Sequence, residues 1–249
     1  MKYIASMTTY PARFDFALKA IESINNQTVK PDILIVHISE EDWGQAERDF
    51  IRPVKFRFKN RVIIEPCENL KPANKIIHTA KKFPDRNIIT FDDDVLYPRN
   101  RAESLIEKHK LYPDNPICFR TRKVSFDGDK VNSYSSWKLS YDEGGPNLMN
   151  FPTSVSGSLY PAGIFPESFF DTDTYREICQ NNDDVWTYFH MIMKYLPFVS
   201  GGLEIVPPGI NGAQSSALWK SNVRYNGNDK IISDMEKKYG PIYSLMKGK

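Results

Sequence analysis

The sequence predicts an α/β chain with a mainly parallel central sheet flanked by helices. Three observations lead there. Apolar runs of strand length ("KYIASM", "DILIVHIS", "RVIIEP", "NIITF") are nearly continuous, as in strands buried on both faces. Between them, apolar residues recur at helical spacing. Over the first hundred residues the order is strand, helix, strand, strand, helix, strand, which suits a sheet covered by helices.

The elements follow in order. Residues 2–7 form a first strand, ended by the turn-forming "TTYPAR". Phe16, Ala17, Ala20, Ile21 and Ile24 mark a helix. Residues 32–39 and 61–66 are the second and third strands. Ala73, Ile76, Ile77 and Ala80 form the stripe of another helix, with Lys71, Lys75, Lys81 and Lys82 around it. Residues 87–91 are a fourth strand, running straight into Asp92, Asp93 and Asp94. Asn100 can cap a helix reaching about residue 110. Residues 116–126 read as one strand, closed by a hairpin turn at Asp127, Gly128 and Asp129. A Gly-, Ser-, Asn- and Pro-rich stretch from about 132 to 163 reads as a long functional loop. Val185, Phe189, Ile192 and Leu196 mark one more helix, and the last forty residues read as polar, ending in a basic surface tail. There is no internal repeat or low-complexity linker, so the expectation is a single domain over 1–249 with an elaborated second half.

Composition narrows the function. The 249 residues are 41% hydrophobic and 26% charged, with a net charge of +2. No Lys/Arg block with interleaved aromatics points to nucleic acid. Cys67, Cys118 and Cys179 are odd in number and lack CxxC spacing, so buried reduced thiols are expected. The start turns polar at Thr8 and meets Pro11, too early for a signal peptide's apolar core. With no run long enough to span a bilayer, a cytoplasmic location is expected. The four histidines do not cluster; His78 and His190 read as structural. No Ser/His/Asp signature, GxSxG, GxGxxG or Walker loop is present.

The chemistry lies in the acidic groups. In an extended chain, Asp92 and Asp94 point to one side and Asp93 to the other. Carboxylates just past the carboxyl end of a parallel strand sit where α/β sheets bind ligands. Such oxygen donors suit Mg²⁺ or Mn²⁺ completed by substrate phosphates; the residues alone equally allow a solvated turn capping the next helix. An EF-hand register starting at Asp92 fails, because Leu96 takes a ligand position and Tyr97 sits where that loop needs glycine. "FFDTDTY" reads as helix-cap chemistry. In "NNDDVW", Asn182 can cap a helix with Asp183 and Asp184 in its first turn. The helix dipole would keep Asp184 ionised near neutral pH, and a carboxylate held there can act as a general base.

Taken in order, "SMTTYPARF", "SINNQTVKPDILIVHISEED", "LKPANKIIHTAKKFPDRNIITFDDDVLYP", "GSLYPAG" and "NNDDVW" resemble the bacterial GT-A fold nucleotide-sugar glycosyltransferases, family-2-like, of capsule and lipopolysaccharide synthesis. The similarity runs from Lys2 to about Leu196. It implies a nucleotide-binding half over about 1–98, and an acceptor-binding half with the tail over about 99–249. It puts the nucleoside at Thr8, Thr9, Tyr10 and Arg13 and at Ser39 and Glu40, where "SEE" replaces the usual Asp. Lys71, Asn74 and Lys75 approach the nucleotide, Asp92 and Asp93 lie near ribose and phosphate, and Asp94, with Asp92, takes Mn²⁺ or Mg²⁺. Gly157 and Ser158 wall the donor sugar and acceptor, and Asp183 and Asp184 are the acidic pair whose second member is the base of inverting relatives. The resemblance further implies a UDP-sugar donor and a saccharide or lipid-linked saccharide acceptor, with peripheral contact at the inner membrane face. Exostosin-like retaining transfer, a nucleotide-sugar-binding protein without catalysis and a metal-dependent phosphatase are the alternatives.

Overall fold

The computed structural model describes residues 1–140, 144–202, 208–210 and 227–248. Strand β1 (Ile4–Thr8) lies between two parallel partners, β2 (Ile33–Ser39) and β4 (Ile88–Thr90), and β3 (Val62–Cys67) extends the sheet beyond β2. These are the four apolar runs, displaced by a residue or two at their ends. Helix α1 (Phe14–Asn25) buries Phe14, Ala17, Ala20, Ile21 and Ile24.

Residues 40–60, left without a helix by the sequence reading, are helical. A short turn leads into α2 (Trp43–Ala46), a π-turn (Glu47–Ile51) and α3 (Arg52–Phe58), which together bury Ala46, Phe50, Ile51 and Val54. Pro53 cannot donate a backbone bond, and the ladder widens to π geometry just before it. The proline and the dense charge hide the apolar stripe in the sequence. With α4 (Asn74–Lys82) the first half alternates strand and helix throughout.

After α5 (Arg101–Leu111) the expected long strand breaks into three: β5 (Ile117–Cys118), β6 (Thr121–Lys123) and β7 (Phe126–Asp127). The hairpin turn is present, since β7 pairs with β8 (Lys130–Val131) and Gly128 takes φ +61°. The supposed loop holds β9 (Lys138–Ser140), β10 (Asn150–Pro152) and β11 (Ser158–Tyr160). Strands this short carry no readable period. The first two flank β6 in a three-stranded antiparallel sheet. Helices α6 (Thr172–Ile178) and α7 (Asp183–Met193) precede β12 (Val199–Ser200). The C-terminus is no loose tail: α8 (Gly227–Tyr239) and α9 (Ile242–Lys247) bury Ile232, Met235 and Ile242 in the core that contains α7. Residues 211–226 of that polar stretch lie outside the described residues.

The main sheet has the order β12-β5-β11-β4-β1-β2-β3. Only β11 runs against its neighbours β4 and β5; the other strands share one direction. Alternate residues feed two cores. Ile89, Ile117 and Leu159 join α1, α3 and α5, while Ile88, Cys118 and Tyr160 join α4, α7 and the C-terminal helices. From β1 the chain moves to β2 on one side and later to β4 on the other, so the order reverses between β1 and β4. That is a topological switch point, the ligand crevice of open α/β sheets.

Helix α7 starts as its sequence indicates: Asn182 Oδ1 accepts from Val185 N at 2.9 Å, and its Nδ2 donates to Asn228 Oδ1 at 2.6 Å. Asn182→Ala removes the cap and strands the buried Asn228 amide. We expect a loss of about 2–4 kcal/mol, the sum of a cap and an unpaired polar group, read from the urea midpoint of the pure variant.

Candidate active site

The crevice at the β1/β4 switch point is lined by the chain following each strand. After β1, Thr8 Oγ1 donates to His37 O at 2.9 Å and accepts from Asn74 Nδ2 at 3.3 Å. Asn74 Oδ1 accepts from Leu70 N at 2.7 Å, which ties the entry of α4 to the end of β1. Thr9 is buried beside Asp93, whose carboxyl its hydroxyl helps to hold down. Tyr10 is 39% exposed, with the Arg13 guanidinium 5.6 Å from its ring centroid.

After β4 the three carboxylates divide differently from the strand alternation. β4 ends at Thr90 and residues 93–94 form a turn, so the alternation stops. Arg13 Nη1 meets Asp93 Oδ1 at 2.7 Å and Asp94 Oδ2 at 3.1 Å, while Asp92 Oδ1 turns to Lys75 Nζ at 2.7 Å. Lys75 Nζ also contacts Asp183 Oδ2 at 3.0 Å. One buried ammonium therefore joins the two acidic motifs.

Burial alone would depress the Lys75 ammonium, but Asp183 and Asp92 hold it well above its usual value. Beneath it, Ser6 Oγ donates to Lys75 O at 2.5 Å and lies 2.7 Å from Thr79 Oγ1, which also contacts His37 Nε2 at 2.7 Å. Burial lowers the His37 pKa to about 3, so this seam under α4 is polar but neutral.

The carboxyls carry the strain of this packing. Burial pushes Asp93 up to about 6 against the pull of Arg13. Burial, with the neighbouring Asp92, also raises Asp94. Burial and then Asp183 raise Asp184 to about 7. This corrects the expectation of an ionised Asp184, because the helix dipole is outweighed. Asp184 Oδ1 accepts from Ser154 Oγ at 2.6 Å and Ser154 N at 3.1 Å. Tyr97 couples the two sides: its hydroxyl accepts from Asp92 N at 2.8 Å and donates to Val155 O at 3.0 Å. Sequence reasoning missed both Ser154 and Tyr97. Tyr97 stood in plain view behind the acidic triplet, whereas nothing singles out Ser154 in a serine-rich stretch.

The other expected residues are more scattered. Ser39 Oγ donates to Asp42 Oδ2 at 2.7 Å, and Glu40 is exposed at the next position. Exposed Lys71 has φ +53°, a left-handed backbone rare for a residue with a side chain. Gly157, at φ +94°, closes the Ser154–Ser156 turn in a conformation open essentially to glycine alone. Ser158 does not present its side chain as a wall. It is fully buried, and its hydroxyl donates to Cys118 Sγ at 3.2 Å. Two grooves, around Phe83, Pro84 and Phe165 and around Lys81, Glu167 and Ser168, lie at the far end of α4 and contain none of the expected site residues.

Among the described residues no three His, Cys, Asp or Glu side chains form a self-sufficient metal cage. Asp92 and Asp94 are hard oxygen donors, and one or two carboxylates with substrate phosphates are what Mg²⁺-type sites use. In this structure the two contact Lys75 and Arg13 respectively, so a metal with its phosphate would have to share them with those cations.

Sheet order, switch-point crevice and flanking helices define a GT-A-like α/β fold. The chain is similar to residues 1–349 of S. aureus TarS (11% identity, TM-score 0.53, 99% of this chain and 71% of that one). It is also similar to 4-diphosphocytidyl-2C-methyl-D-erythritol synthase (14% identity, TM-score 0.52, 86% of this chain and 95% of that one). No family model matches the sequence, and no curated protein matches it.

The raised carboxyls set a pH dependence. A carboxyl whose pKa is higher folded than unfolded binds protons in the folded state, so stability falls as pH rises from about 4 through the folded value. For Asp184 that window ends at about 7. Asp184→Asn keeps the acceptor for Ser154 and removes the charge. At pH 8 the variant should exceed wild type by at least ~1 kcal/mol, the worth of one pKa unit, and the gap should close near pH 4. Urea denaturation at both pH values checks this.

Proposed function

We propose that the chain is a metal-dependent glycosyltransferase that moves a sugar from a nucleotide-sugar, a UDP-sugar by preference, to a saccharide acceptor in surface polysaccharide synthesis, with inversion. The observation that carries this reading is the Lys75 bridge. It sets the carboxylates after β4 beside the acidic start of α7, in the crevice where such sheets bind ligands. A nucleotide-binding use of the fold agrees with the cytidyl group in the name of one neighbour, 4-diphosphocytidyl-2C-methyl-D-erythritol synthase.

Each group has a role in this reading. The exposed Tyr10 ring and the Thr9 hydroxyl face the nucleoside, and Arg13, Lys71 and Lys75 draw in the diphosphate. Asp94 and Asp92 would hold Mn²⁺ or Mg²⁺, whose charge offsets that developing on the departing nucleoside diphosphate. The anomeric carbon–oxygen bond to phosphate breaks with its electron pair on the diphosphate, and the acceptor oxygen bonds to that carbon from the opposite face. The acceptor proton passes to Asp184, whose Oδ1 is held by Ser154. A carboxyl with a pKa of about 7 is well matched to this task. The acceptor is a saccharide, free or lipid-linked. Among the described residues no helix is long and apolar enough to cross a membrane, so contact with a lipid carrier would be peripheral.

Asp94→Ala should abolish Mn²⁺-supported UDP binding in isothermal titration while the circular dichroism spectrum is kept. Unchanged Mn²⁺ dependence in that variant would remove the metal assignment. Asp184→Asn should cut turnover by roughly a hundredfold or more, the scale of general base catalysis, with donor affinity near wild type. Retained turnover would shift the mechanism to the retaining alternative, which the product anomer, assigned by NMR, identifies independently.

A further inference from the structure

Arg101 is the first residue of α5 and only 5% exposed. Its position is unfavourable on three counts. A cation at a helix start opposes the dipole. A buried guanidinium loses its hydration. And among the described residues it has no carboxylate partner: its Nε is buried without a hydrogen bond, and its guanidinium lies 3.5 Å over the centroid of the Phe119 ring. Burial accordingly lowers its pKa to about 10.

The surroundings are nevertheless built around it. Phe119 N donates to Gly157 O at 3.1 Å, and a Cβ at Gly201 would come within 2.8 Å of Phe119 Cα, so the ring is wedged in place. A Cβ at Gly157 would meet Arg101 Cγ and Cδ at 3.7 and 3.8 Å, so the turn rests directly on the arginine stem. That same turn holds Asp184 through Ser154, and Tyr97 through Val155. Among the described residues this packed, pre-oriented guanidinium lacks a counter-ion, and it backs the turn that holds Asp184; its fork suits a planar or tetrahedral oxyanion.

We propose that Arg101, backed by Phe119 and the Gly157 turn, forms an oxyanion subsite that takes a phosphate or carboxylate carried by the acceptor. Oxyanion binding stands by itself; its assignment to the acceptor rests on the transferase reading.

The test uses inorganic phosphate and, in a separate arm, glucuronate, each titrated against the full chain by calorimetry and thermal melting. Wild type should bind one or both and melt higher in its presence. Which arm responds identifies the acceptor's group. Arg101→Met should weaken that binding at least tenfold while melting no lower than wild type without ligand, because an unpaired buried charge has gone. Arg101→Lys should bind at intermediate strength, having charge without the fork. This pattern would hold even if no sugar transfer were found. Equal affinity in Arg101→Met, or no response of wild type to either probe, would overturn the proposal. So would a lower melting point of Arg101→Met with unchanged binding, which assigns the arginine to packing on Phe119 alone.

Discussion

The site depends on one buried ammonium. Lys75 is removed from water, and taking a charge out of water costs several kcal/mol unless geometry and partners compensate. Asp92 and Asp183 supply that compensation from two distant segments. Removing Lys75 would leave both carboxylates without that shared partner. The entry of α4, the end of β4 and the start of α7 are therefore held in one arrangement. The seam of Ser6, Thr79 and His37 fixes α4 from below, so the ammonium is aimed by the sheet itself.

Among the described residues, carboxyls outnumber cations in the crevice. Arg13 and Lys75 serve Asp92, Asp93, Asp94 and Asp183, and Asp184 stands next to the last of these. Burial pushes three of these carboxyls upward. Such arrangements lower stability and persist at sites where an incoming positive group or proton is used.

The sequence made the skeleton of the first half legible because its strands are continuous apolar runs and its helices α1 and α4 are cleanly striped. The helix between β2 and β3 escaped notice because Pro53 interrupts its ladder and charges crowd its apolar face. In the second half, strands of two or three residues carry too few side chains to show alternation, so β9, β10 and β11 passed for loop. The acidic motifs announced themselves by composition, but their partners did not. That Arg13 pairs with Asp93 and Asp94, or that Ser154 grips Asp184, depends on tertiary closure. The perturbed Asp184 likewise needed burial to be known, since the helix-start argument alone points the other way.

The insertion of β11 bears on how the chain is made. β4 contributes three residues to the sheet, and Thr90 lies opposite Ser158, 68 residues later. As the chain leaves the ribosome, a growing first half therefore displays an open strand edge, of the kind that recruits unrelated strands. Only when β11 arrives is that edge closed. Severing the chain after the acidic triplet would yield an N-terminal fragment with a sticky flank, so nascent-chain protection and expression of truncated forms turn on a three-residue strand encoded well past the sheet edge it covers.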